Sequence, residues 1–358
     1  MNLIIWMNQP SHHQSQFFKA LNNRFNEFKV YYYGSVSENR KDMGWTTDIV
    51  LSDYEEYIDC NNYDLDLDVM KNYIHILPGY GHPLLLKLRK LFSENGIKWI
   101  HWSEKASQGW KWYISYPRKF WHAYYVNKYA LGALAIGEHA KKDFIKWRIN
   151  EDKIEILPYS FNTMEEIEPD SEIIKFKENR KAFLFVGSLY RLKGIDLLIK
   201  AFAEKYKNNP DWCLILVGNE KNGFNYRQLI TSLGIEKQVM FRGVIPAKDI
   251  YSAYSASDIF VLPSRYDGWG MVVNEAIYCG LPVIVSDAVG ASPHLVTPKN
   301  GFVFHSNSLL DLVTCMEKYQ DETVLESHAS NSKKVFELFR SDVFSEKLLR
   351  IIKRWNNQ

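Results

Sequence analysis

The segment that most constrains the fold of this chain occupies residues 261–290 and reads VLPSRYDGWGMVVNEAIYCGLPVIVSDAVG. The apolar run Ile259–Leu262 has the length and composition of a buried strand, and Val283–Val285 forms a second such run. A glycine-containing loop leads from the first run into Met271–Cys279, an apolar stretch that favours a helix and that Gly280-Leu281-Pro282 ends. Strand, helix and strand in this order predict a parallel sheet covered by helices.

The same alternation continues through the rest of the chain and predicts an α/β protein with two domains. Apolar runs predict further strands at 2–7, 29–33, 73–77, 97–101, 131–136, 154–157, 182–186, 214–217, 239–241 and 301–304. Helical spacing is found at 17–25, 83–92, 117–128 and 195–202, and over most of 309–355. The 358 residues are long for one domain and comfortable for two. Residues 163–179 are charged and lose this periodicity, so we expect them to form the linker.

The loop that precedes the expected helix at 271–279 has the chemistry of an anion site. The first backbone N–H groups of a helix are free, and they and the positive end of the helix dipole point at the same ligand. Asp267 lies in the loop and Glu275 lies eight positions later, in the helix behind it. A diphosphate could therefore be held with a carboxylate at each end, one for a sugar and one for a ribose.

The ordered elements of this segment resemble the donor-site signature of the family 4 retaining glycosyltransferases, which have the GT-B fold. These elements are Pro263-Ser264, Asp267, Gly268-Trp269-Gly270, Glu275-Ala276, Gly280-Leu281-Pro282-Val283-Ile284 and Gly290. Asp267 departs from the pattern, because the family usually has the longer Glu there. The resemblance implies two Rossmann-like domains with a donor/acceptor cleft between them. The acceptor domain would be 1–165, the donor domain 166–340, and a C-terminal helix at 341–358 would cross back to the first domain.

A second motif begins the expected donor domain, where the strand at 182–186 is followed by Gly187-Ser188-Leu189-Tyr190-Arg191-Leu192-Lys193-Gly194. It resembles the phosphate-binding loop of the same family, with Ser188 in the place of the usual Arg. Arg191 is the candidate to replace that cation. The alternative is that Arg191 and Lys193 only solvate the start of a helix. A cation at the N-terminus of a helix opposes the helix dipole, so a purely structural role is unfavourable there. A functional role is therefore favoured for Lys193.

The resemblance also implies roles for residues outside these two motifs. The loop at 241–244 would hold the nucleotide base through backbone groups and stacking. Because such contacts leave little trace in the side chains, the sequence does not distinguish UDP from GDP. His101 ends an expected strand of the first half and would reach the donor sugar; a histidine satisfied within a hydrogen-bond network remains the alternative. The implied catalytic residues are Asp267, His101 and Lys193. The implied donor-binding residues are Gly187, Ser188, Arg191, Lys193, Val244, Gly268, Trp269, Gly270, Met271, Val272 and Glu275.

The activity implied by the resemblance is transfer of a sugar, with retention of configuration, from a UDP- or GDP-sugar to a hydroxyl acceptor. The acceptor would be a growing or lipid-linked glycan, as in polysaccharide or cell-surface glycan synthesis. No cofactor and no metal would be needed, because cations and a helix dipole would neutralise the leaving diphosphate. A GT-B sugar-nucleotide epimerase and a non-catalytic nucleotide-sugar-binding protein are the alternatives.

Residues 64–68, Asp-Leu-Asp-Leu-Asp, look like the Asp-x-Asp motif that binds manganese in the other glycosyltransferase fold, GT-A. That interpretation does not account for the segment at 261–290, so an acidic surface segment is favoured.

Composition and charge narrow the possible partners and location. A net charge of +2 argues against a nucleic-acid binder, for which a strongly basic domain is typical. No signal-peptide pattern and no apolar run of membrane-spanning length occurs, so we expect a cytoplasmic protein. Residues 83–128 hold nine Lys or Arg, two acidic residues and several Trp and Tyr. This pattern suits docking to anionic lipid on the inner face of a membrane. The alternative is that Trp99 lies in the core and the charges form a solvated helix face.

Overall fold

A computed structural model describes residues 1–35, 50–60, 64–106, 114–161, 163, 167–220 and 223–357, which form two compact units. The first unit contains the described residues up to 161 together with 339–357, and the second contains those from 163 to 338. These limits lie within a few residues of the domain boundaries expected from the sequence. The expectation of two α/β domains is therefore met by two separate sheets, each with its own helices.

The first unit is built on a seven-stranded parallel sheet in the order β3-β2-β1-β4-β5-β6-β7. Its strands are β1 (Asn2–Met7), β2 (Phe28–Tyr32), β3 (Glu55–Tyr57), β4 (Tyr73–Pro78), β5 (Trp99–Ser103), β6 (Gly132–Ala135) and β7 (Ile154–Ile156). Its helices are Ser15–Asn22, Leu67–Met70, Pro83–Glu94, Tyr116–Tyr129, Glu138–Lys146 and Ser341–Asn356. Strand β3 escapes sequence prediction because Glu55-Glu56-Tyr57 is a partly exposed edge strand with no apolar run.

The second unit is built on a six-stranded parallel sheet in the order β10-β9-β8-β11-β12-β13. Its strands are β8 (Lys181–Val186), β9 (Trp212–Val217), β10 (Val239–Gly243), β11 (Ile259–Leu262), β12 (Val283–Ser286) and β13 (Gly301–Phe304). Its helices are Ser171–Lys177, Ile195–Tyr206, Tyr226–Leu233, Tyr251–Ser255, Met271–Tyr278, Ser292–Leu295, Leu309–Glu317 and Glu322–Leu338. Strands such as β9 are buried on both faces, which is why they read as continuous apolar runs.

Both sheets contain a point at which the strand order reverses. In the second unit the chain passes from β8 outwards to β9 and β10, and then returns to place β11 on the other side of β8. In the first unit β1 and β4 are neighbours for the same reason. Ligands of open α/β sheets bind outside the carboxyl ends of the strands at such a switch point. The fold therefore offers one candidate binding region in each unit.

The expected linker at 163–179 is wrong over part of its length, because Ser171–Lys177 is a helix. The carboxylate of Asp170 caps its first turn by accepting from the backbone N–H groups of Glu172 and Ile173, at 3.1 and 3.0 Å. Ile173 is fully buried and holds the helix against the second unit. Seven residues are too few to show a helical period in the sequence, which is why this helix is not predicted.

The last helix, Ser341–Asn356, packs on the first unit, as the resemblance to GT-B proteins implies. Its apolar face buries Phe344, Leu348 and Ile352. Trp355 is also buried and lies directly on Gly132 of β6, where an added Cβ would lie 2.4 Å from the indole ring. Arg24 donates to the Ser345 hydroxyl at 2.7 Å. These contacts join the C-terminus to the first sheet.

Trp355→Ala should destabilise the first unit by about 3–5 kcal/mol, since it leaves a cavity where the indole meets Gly132. Lys353→Ala, a change on the exposed face of the same helix, is the matched control and should have little effect. Urea unfolding followed by circular dichroism measures both variants. Equal unfolding curves for the two variants would show that the helix does not depend on this contact.

Candidate functional site

Two loops meet at the switch point of the second sheet, one after β8 and one after β11. Gly194 in the first loop adopts the left-handed conformation, with φ of +75°, and approaches the second loop closely. A Cβ at this position would lie 2.0 Å from the carbonyl oxygen of Pro263, so only glycine fits. The N–H of Arg265 donates to the Leu192 carbonyl at 2.8 Å. The two loops are thus held together by their backbones.

Lys193 and Asp267 form an ion pair across these loops. Lys193 Nζ lies 2.5 Å from Asp267 Oδ2, and the two side chains are only 21% and 15% exposed. Partial burial strengthens the attraction relative to a pair in water. The sequence assigned one residue to a diphosphate and the other to a sugar, and the structure brings them into direct contact. An anion bound here would share the ammonium group with Asp267.

Arg265 and Asp196 form a second connection that the sequence analysis missed. The Arg265 guanidinium donates to both oxygens of Asp196, at 2.7 and 2.9 Å, and also to the carbonyl of Arg191. Burial alone would raise the pKa of Asp196, but the hydrogen bonds and charge of Arg265 hold it below its usual value. Asp196 is therefore ionised and fixes the loop at 191–194. The available signal was the position of Arg265 three residues after the buried strand β11.

The remaining residues predicted in the loop after β8 differ in their surroundings. Gly187 directly follows the strand, and Ser188 is buried behind it. Arg191 and Lys193 lie on one short 3-10 turn, with the Arg191 side chain exposed. The structure therefore brings Lys193 to Asp267 and leaves Arg191 at the open surface of the same loop.

The Met271–Tyr278 helix begins four residues after Asp267. Gly270 precedes it with φ of +94°, and a Cβ there would lie 2.7 Å from a methyl group of Val289. Met271 and Val272 form the first turn and are partly accessible. The first N–H groups of a helix have no partner within it, so this end can receive an anion. Gly268 lies next to Asp267 in the same partly accessible loop.

Trp269 belongs to the interior of this loop and does not present its ring to a ligand. Its side chain is 1% exposed, and its Nε1 donates to Asn274 Oδ1 at 2.8 Å. The indole therefore anchors the loop to the helix that follows. A role in donor binding can come only through the position of its backbone.

Glu275 is buried behind the first turn of the same helix. The Tyr254 hydroxyl donates to Glu275 Oε2 at 2.5 Å. Burial raises the pKa of Glu275 to about 7, although the hydrogen bond from Tyr254 opposes this shift. The carboxyl group therefore changes charge near neutral pH, which a solvated glutamate does not do.

Val244 is the last residue of the segment 241–244 predicted to hold the base; the other three residues belong to β10, and Val244 follows the strand and is 40% exposed. Arg242 anchors the preceding strand, since its guanidinium forms an ion pair with Asp170 at 3.0 Å. This strand end and those of β8 and β9 lie side by side in the sheet. The structure therefore places Val244 at the same edge as Gly187, two strands away.

His101 lies in the core of the first unit. It is 0% exposed, its Nε2 is 2.9 Å from the Ser103 hydroxyl, and its ring lies 4.4 Å from that of His122. Burial lowers the pKa of His101 to about 3, so the ring is neutral. Its Nδ1 has no hydrogen-bond partner among the described residues, and the ring has no accessible surface with which to reach a donor sugar.

The acidic segment at 64–68 has a structural role. Asp66 caps the Leu67–Met70 helix by accepting from two backbone N–H groups, and Asp68 forms an exposed ion pair with Lys71. Within the described ranges, no three His, Cys, Asp or Glu side chains are grouped so that they could hold a metal ion. Asp66 and Asp68 therefore have structural partners within this acidic segment.

A family model described as glycosyl transferases group 1 matches residues 166–334. This match covers 169 of the 358 residues, slightly less than half of the chain. We call this part of the chain the glycosyl transferases group 1 domain; it contains the two loops and the ion pair.

Relatives and solved structures extend this comparison. The chain is 34% identical over 149 residues to a D-inositol 3-phosphate glycosyltransferase of Corynebacterium aurimucosum, covering 40% of this chain and 35% of that protein. It is 26% identical over 209 residues to a GDP-mannose-dependent monoacylated alpha-(1-6)-phosphatidylinositol monomannoside mannosyltransferase of Corynebacterium glutamicum, covering 56% and 53%. The chain thus spans between about a third and a half of the length of these relatives.

The whole chain is similar in fold to a solved structure, Anabaena Alr3699/HepE in complex with UDP and glucose. The TM-score is 0.72 at 18% identity, over 99% of this chain and 100% of that one. This similarity confirms the GT-B fold predicted from the sequence.

The raised pKa of Glu275 predicts that the glycosyl transferases group 1 domain loses stability as pH rises. The folded state keeps the carboxyl proton up to about pH 7, whereas the unfolded chain releases it near 4.5. Between these values the folded state binds more protons, so the free energy of unfolding falls with rising pH. Glu275→Gln has no such proton to lose, and its unfolding temperature relative to the parent should increase from about pH 5 to about pH 8. Calorimetry that finds a constant difference would contradict this assignment.

Proposed function

We propose that the chain is a retaining glycosyltransferase that moves a sugar from a UDP- or GDP-sugar to a hydroxyl acceptor. The observation that carries the proposal is the Lys193–Asp267 ion pair at the switch point, with Asp267 four residues before the start of the Met271–Tyr278 helix. A cation, a carboxylate and free backbone donors at one place match a sugar diphosphate, which needs charge neutralisation at the phosphates and hydrogen-bond acceptors at the sugar. The match of residues 166–334 to the model described as glycosyl transferases group 1 supports the same reaction.

In the proposed reaction the bond between the anomeric carbon and the diphosphate oxygen breaks as the acceptor oxygen bonds to that carbon from the same face. The acceptor proton passes to the departing phosphate oxygen, and the products are a glycoside and a nucleoside diphosphate. Lys193, Arg191 and the helix start at 270–272 stabilise the negative charge that develops on the leaving group. Asp267 accepts hydrogen bonds from the donor sugar. A mechanism that passes through a covalent intermediate on Asp267 is the less favoured of the two.

The other groups of the site position the donor. Glu275 accepts from the ribose hydroxyls, which favours its ionised form, and residues 241–244 hold the base. No metal ion is required in this proposal, because Lys193 and the helix dipole carry the positive charge. The acceptor is a growing or lipid-linked glycan.

Release of nucleoside diphosphate tests the proposed activity. UDP-glucose and GDP-mannose are each incubated with the protein and a panel of glycan acceptors, and free UDP or GDP is measured with and without EDTA. We expect release from one donor, increased by an acceptor and unchanged by EDTA. Interconversion of the sugar without acceptor-dependent release would favour the epimerase. Binding without any turnover would favour the non-catalytic protein, and a loss of activity restored by manganese would contradict metal independence.

Lys193→Ala should lower turnover by about 100-fold or more while weakening donor binding less, since charge on the leaving group grows in the transition state. Lys200→Ala removes an exposed lysine from the helix that follows and serves as the matched control. Steady-state kinetics separates kcat from KM for both variants. Normal turnover in Lys193→Ala would remove this ammonium group from the chemistry.

A membrane-docking surface on the first unit is the second part of the proposal. Phe120, Trp121, Tyr124 and Tyr129 expose their rings along the Tyr116–Tyr129 helix, with Trp121 60% exposed. The ammonium group of Lys128 lies over the rings of Tyr124 and Tyr129. Amphipathic rings beside a cation suit the headgroup region of an anionic bilayer. None of the described helices has both the length and the apolar composition needed to cross a membrane.

The structure corrects the membership of this surface. Lys119 is 0% exposed and lies over the rings of Tyr80 and Trp147, so it cannot meet lipid. Trp99 and Trp102 are also buried. For Trp99 this agrees with the alternative given above, in which it lies in the core. Trp110, Lys111 and Trp112 fall outside the described residues. The proposed surface therefore rests on the aromatic residues of the helix rather than on the whole of 83–128.

Trp121→Ser should weaken binding to vesicles that contain anionic lipid by about tenfold, because a large apolar ring is withdrawn from the interface. Leu310→Ser removes an apolar side chain of the second unit that is 71% exposed, more than Trp121, and is the control. Co-sedimentation with anionic and neutral vesicles at rising salt measures the effect, and binding should fall with salt. Equal sedimentation of the two variants would end the proposal.

A further inference from the structure

The Lys193–Asp267 ion pair joins the two side chains that the proposed function assigns to different parts of the donor. Lys193 would hold the diphosphate, and Asp267 would hold the hydroxyl groups of the sugar. Lys193 Nζ lies 2.5 Å from Asp267 Oδ2, and the two side chains are only 21% and 15% exposed. In such a partly buried place, the energy of each charge depends strongly on its neighbours. A ligand that pairs with one of these groups therefore changes the energy of the other.

The backbone of Lys193 is fixed close to the loop that follows β11. On one side of Lys193, the Leu192 carbonyl accepts from the N–H of Arg265 at 2.8 Å. On the other side, Gly194 approaches the same loop so closely that an added Cβ would lie 2.0 Å from the carbonyl oxygen of Pro263. Residue 193 cannot withdraw from this loop while both contacts remain.

The backbone of Asp267 is fixed in turn by the loop that follows β12. Asp267 and Val289 form a parallel β-bridge. The Asp267 N–H donates to the Ala288 carbonyl, and the Gly290 N–H donates to the Asp267 carbonyl, both at 3.3 Å. Beside this bridge, a Cβ on Gly290 would lie 2.0 Å from the carbonyl oxygen of Gly268. These contacts keep the carboxylate at the site, whichever ligand the site holds.

A sugar diphosphate and a free nucleoside diphosphate differ in what they offer to this carboxylate. In the sugar diphosphate the terminal phosphate is esterified, and the sugar supplies hydroxyl groups that donate to Asp267. In the free nucleoside diphosphate the sugar has left, and the terminal phosphate carries about one more negative charge at neutral pH, since its last pKa is about 6. The carboxylate then faces a like charge and receives no sugar hydroxyl. Asp267 therefore stabilises the bound donor and destabilises the bound product.

The single ammonium group of Lys193 cannot neutralise both the carboxylate and the diphosphate. When a free nucleoside diphosphate draws this ammonium group, Asp267 loses its ion-pair partner in a place where its side chain is only 15% exposed. Weakening a partly buried ion pair in this way is unfavourable. Departure of the nucleoside diphosphate restores the pair.

We infer that Asp267 discriminates against the free nucleoside diphosphate, so that this product leaves the site and the ion pair with Lys193 forms again before the next donor binds. The inference rests on the proposed function, which places the diphosphate at Lys193 and the sugar at Asp267. It gives the carboxylate a second role, in the selection of sugar-bearing nucleotides over free ones, beside its role as a hydrogen-bond acceptor for the donor sugar.

Isothermal titration calorimetry without an acceptor tests the inference by measuring the dissociation constants of UDP, GDP, UDP-glucose and GDP-mannose. Asp267→Asn keeps the size of the side chain and removes its charge. We expect this variant to bind the free nucleoside diphosphate more tightly than the parent does, because the repulsion disappears. Its sugar nucleotide loses a charged acceptor, so the preference for the sugar nucleotide over the free nucleoside diphosphate should fall by about tenfold or more.

Three further variants separate the charge of Asp267 from its packing. Asp267→Ser also removes the charge and should lose the preference in the same way, whereas Asp267→Glu keeps a carboxylate and should retain most of it. Asp211→Asn is the matched control, because Asp211 is exposed and directly precedes β9, at the opposite end of the sheet from the site. It should leave the preference unaltered. Thermal unfolding shows that each variant is folded.

The inference is overturned if the uncharged variants at position 267 bind the free nucleoside diphosphate more weakly than the parent, or keep the preference of the parent. An equal loss of preference in Asp267→Glu would overturn it too, since the charge is then not the cause. In each of these cases the parent binds its sugar nucleotide and the proposed function stands. If the parent binds none of these nucleotides, the proposed function fails, and the inference fails with it.

Discussion

The contact between the two loops at the switch point of the second sheet is the constraint on which the candidate site depends. Gly194 allows the loops to approach within van der Waals contact, and Lys193 and Asp267 then form an ion pair across them. Arg265 fixes the same approach through its two hydrogen bonds to Asp196. Without this contact the cation, the carboxylate and the helix start at Met271 would belong to separate loops, and no diphosphate could meet all three.

The ion pair also has a consequence for binding. In the chain without ligand, Lys193 is already neutralised by Asp267, so an incoming diphosphate must share or displace that partner. The favourable energy of the new interaction between Lys193 and the diphosphate is partly offset, because the Lys193–Asp267 ion pair is weakened at the same time. Such a site favours a ligand that supplies both a phosphate for the ammonium group and hydroxyls for the carboxylate. A sugar diphosphate supplies both, whereas an inorganic phosphate supplies only the first.

Most of the fold could be predicted from the sequence, because buried parallel strands such as Trp212–Val217 are apolar on both faces and stand out as short runs. Motif residues such as Asp267 and Lys193 could be singled out because their order along the chain is specific, and the structure brings these two into contact. Other features depend on packing between distant segments. The burial of His101 against His122, the burial of Lys119 over two rings and the Arg265–Asp196 pair join residues that no local pattern connects.

A crystal structure of the protein with UDP-glucose or GDP-mannose tests the central claim most directly. The account predicts that the diphosphate lies between Lys193 and the first N–H groups of the Met271–Tyr278 helix, with the sugar hydroxyls at Asp267 and the ribose towards Glu275. A nucleotide sugar bound elsewhere, or a diphosphate that does not contact Lys193, would contradict it.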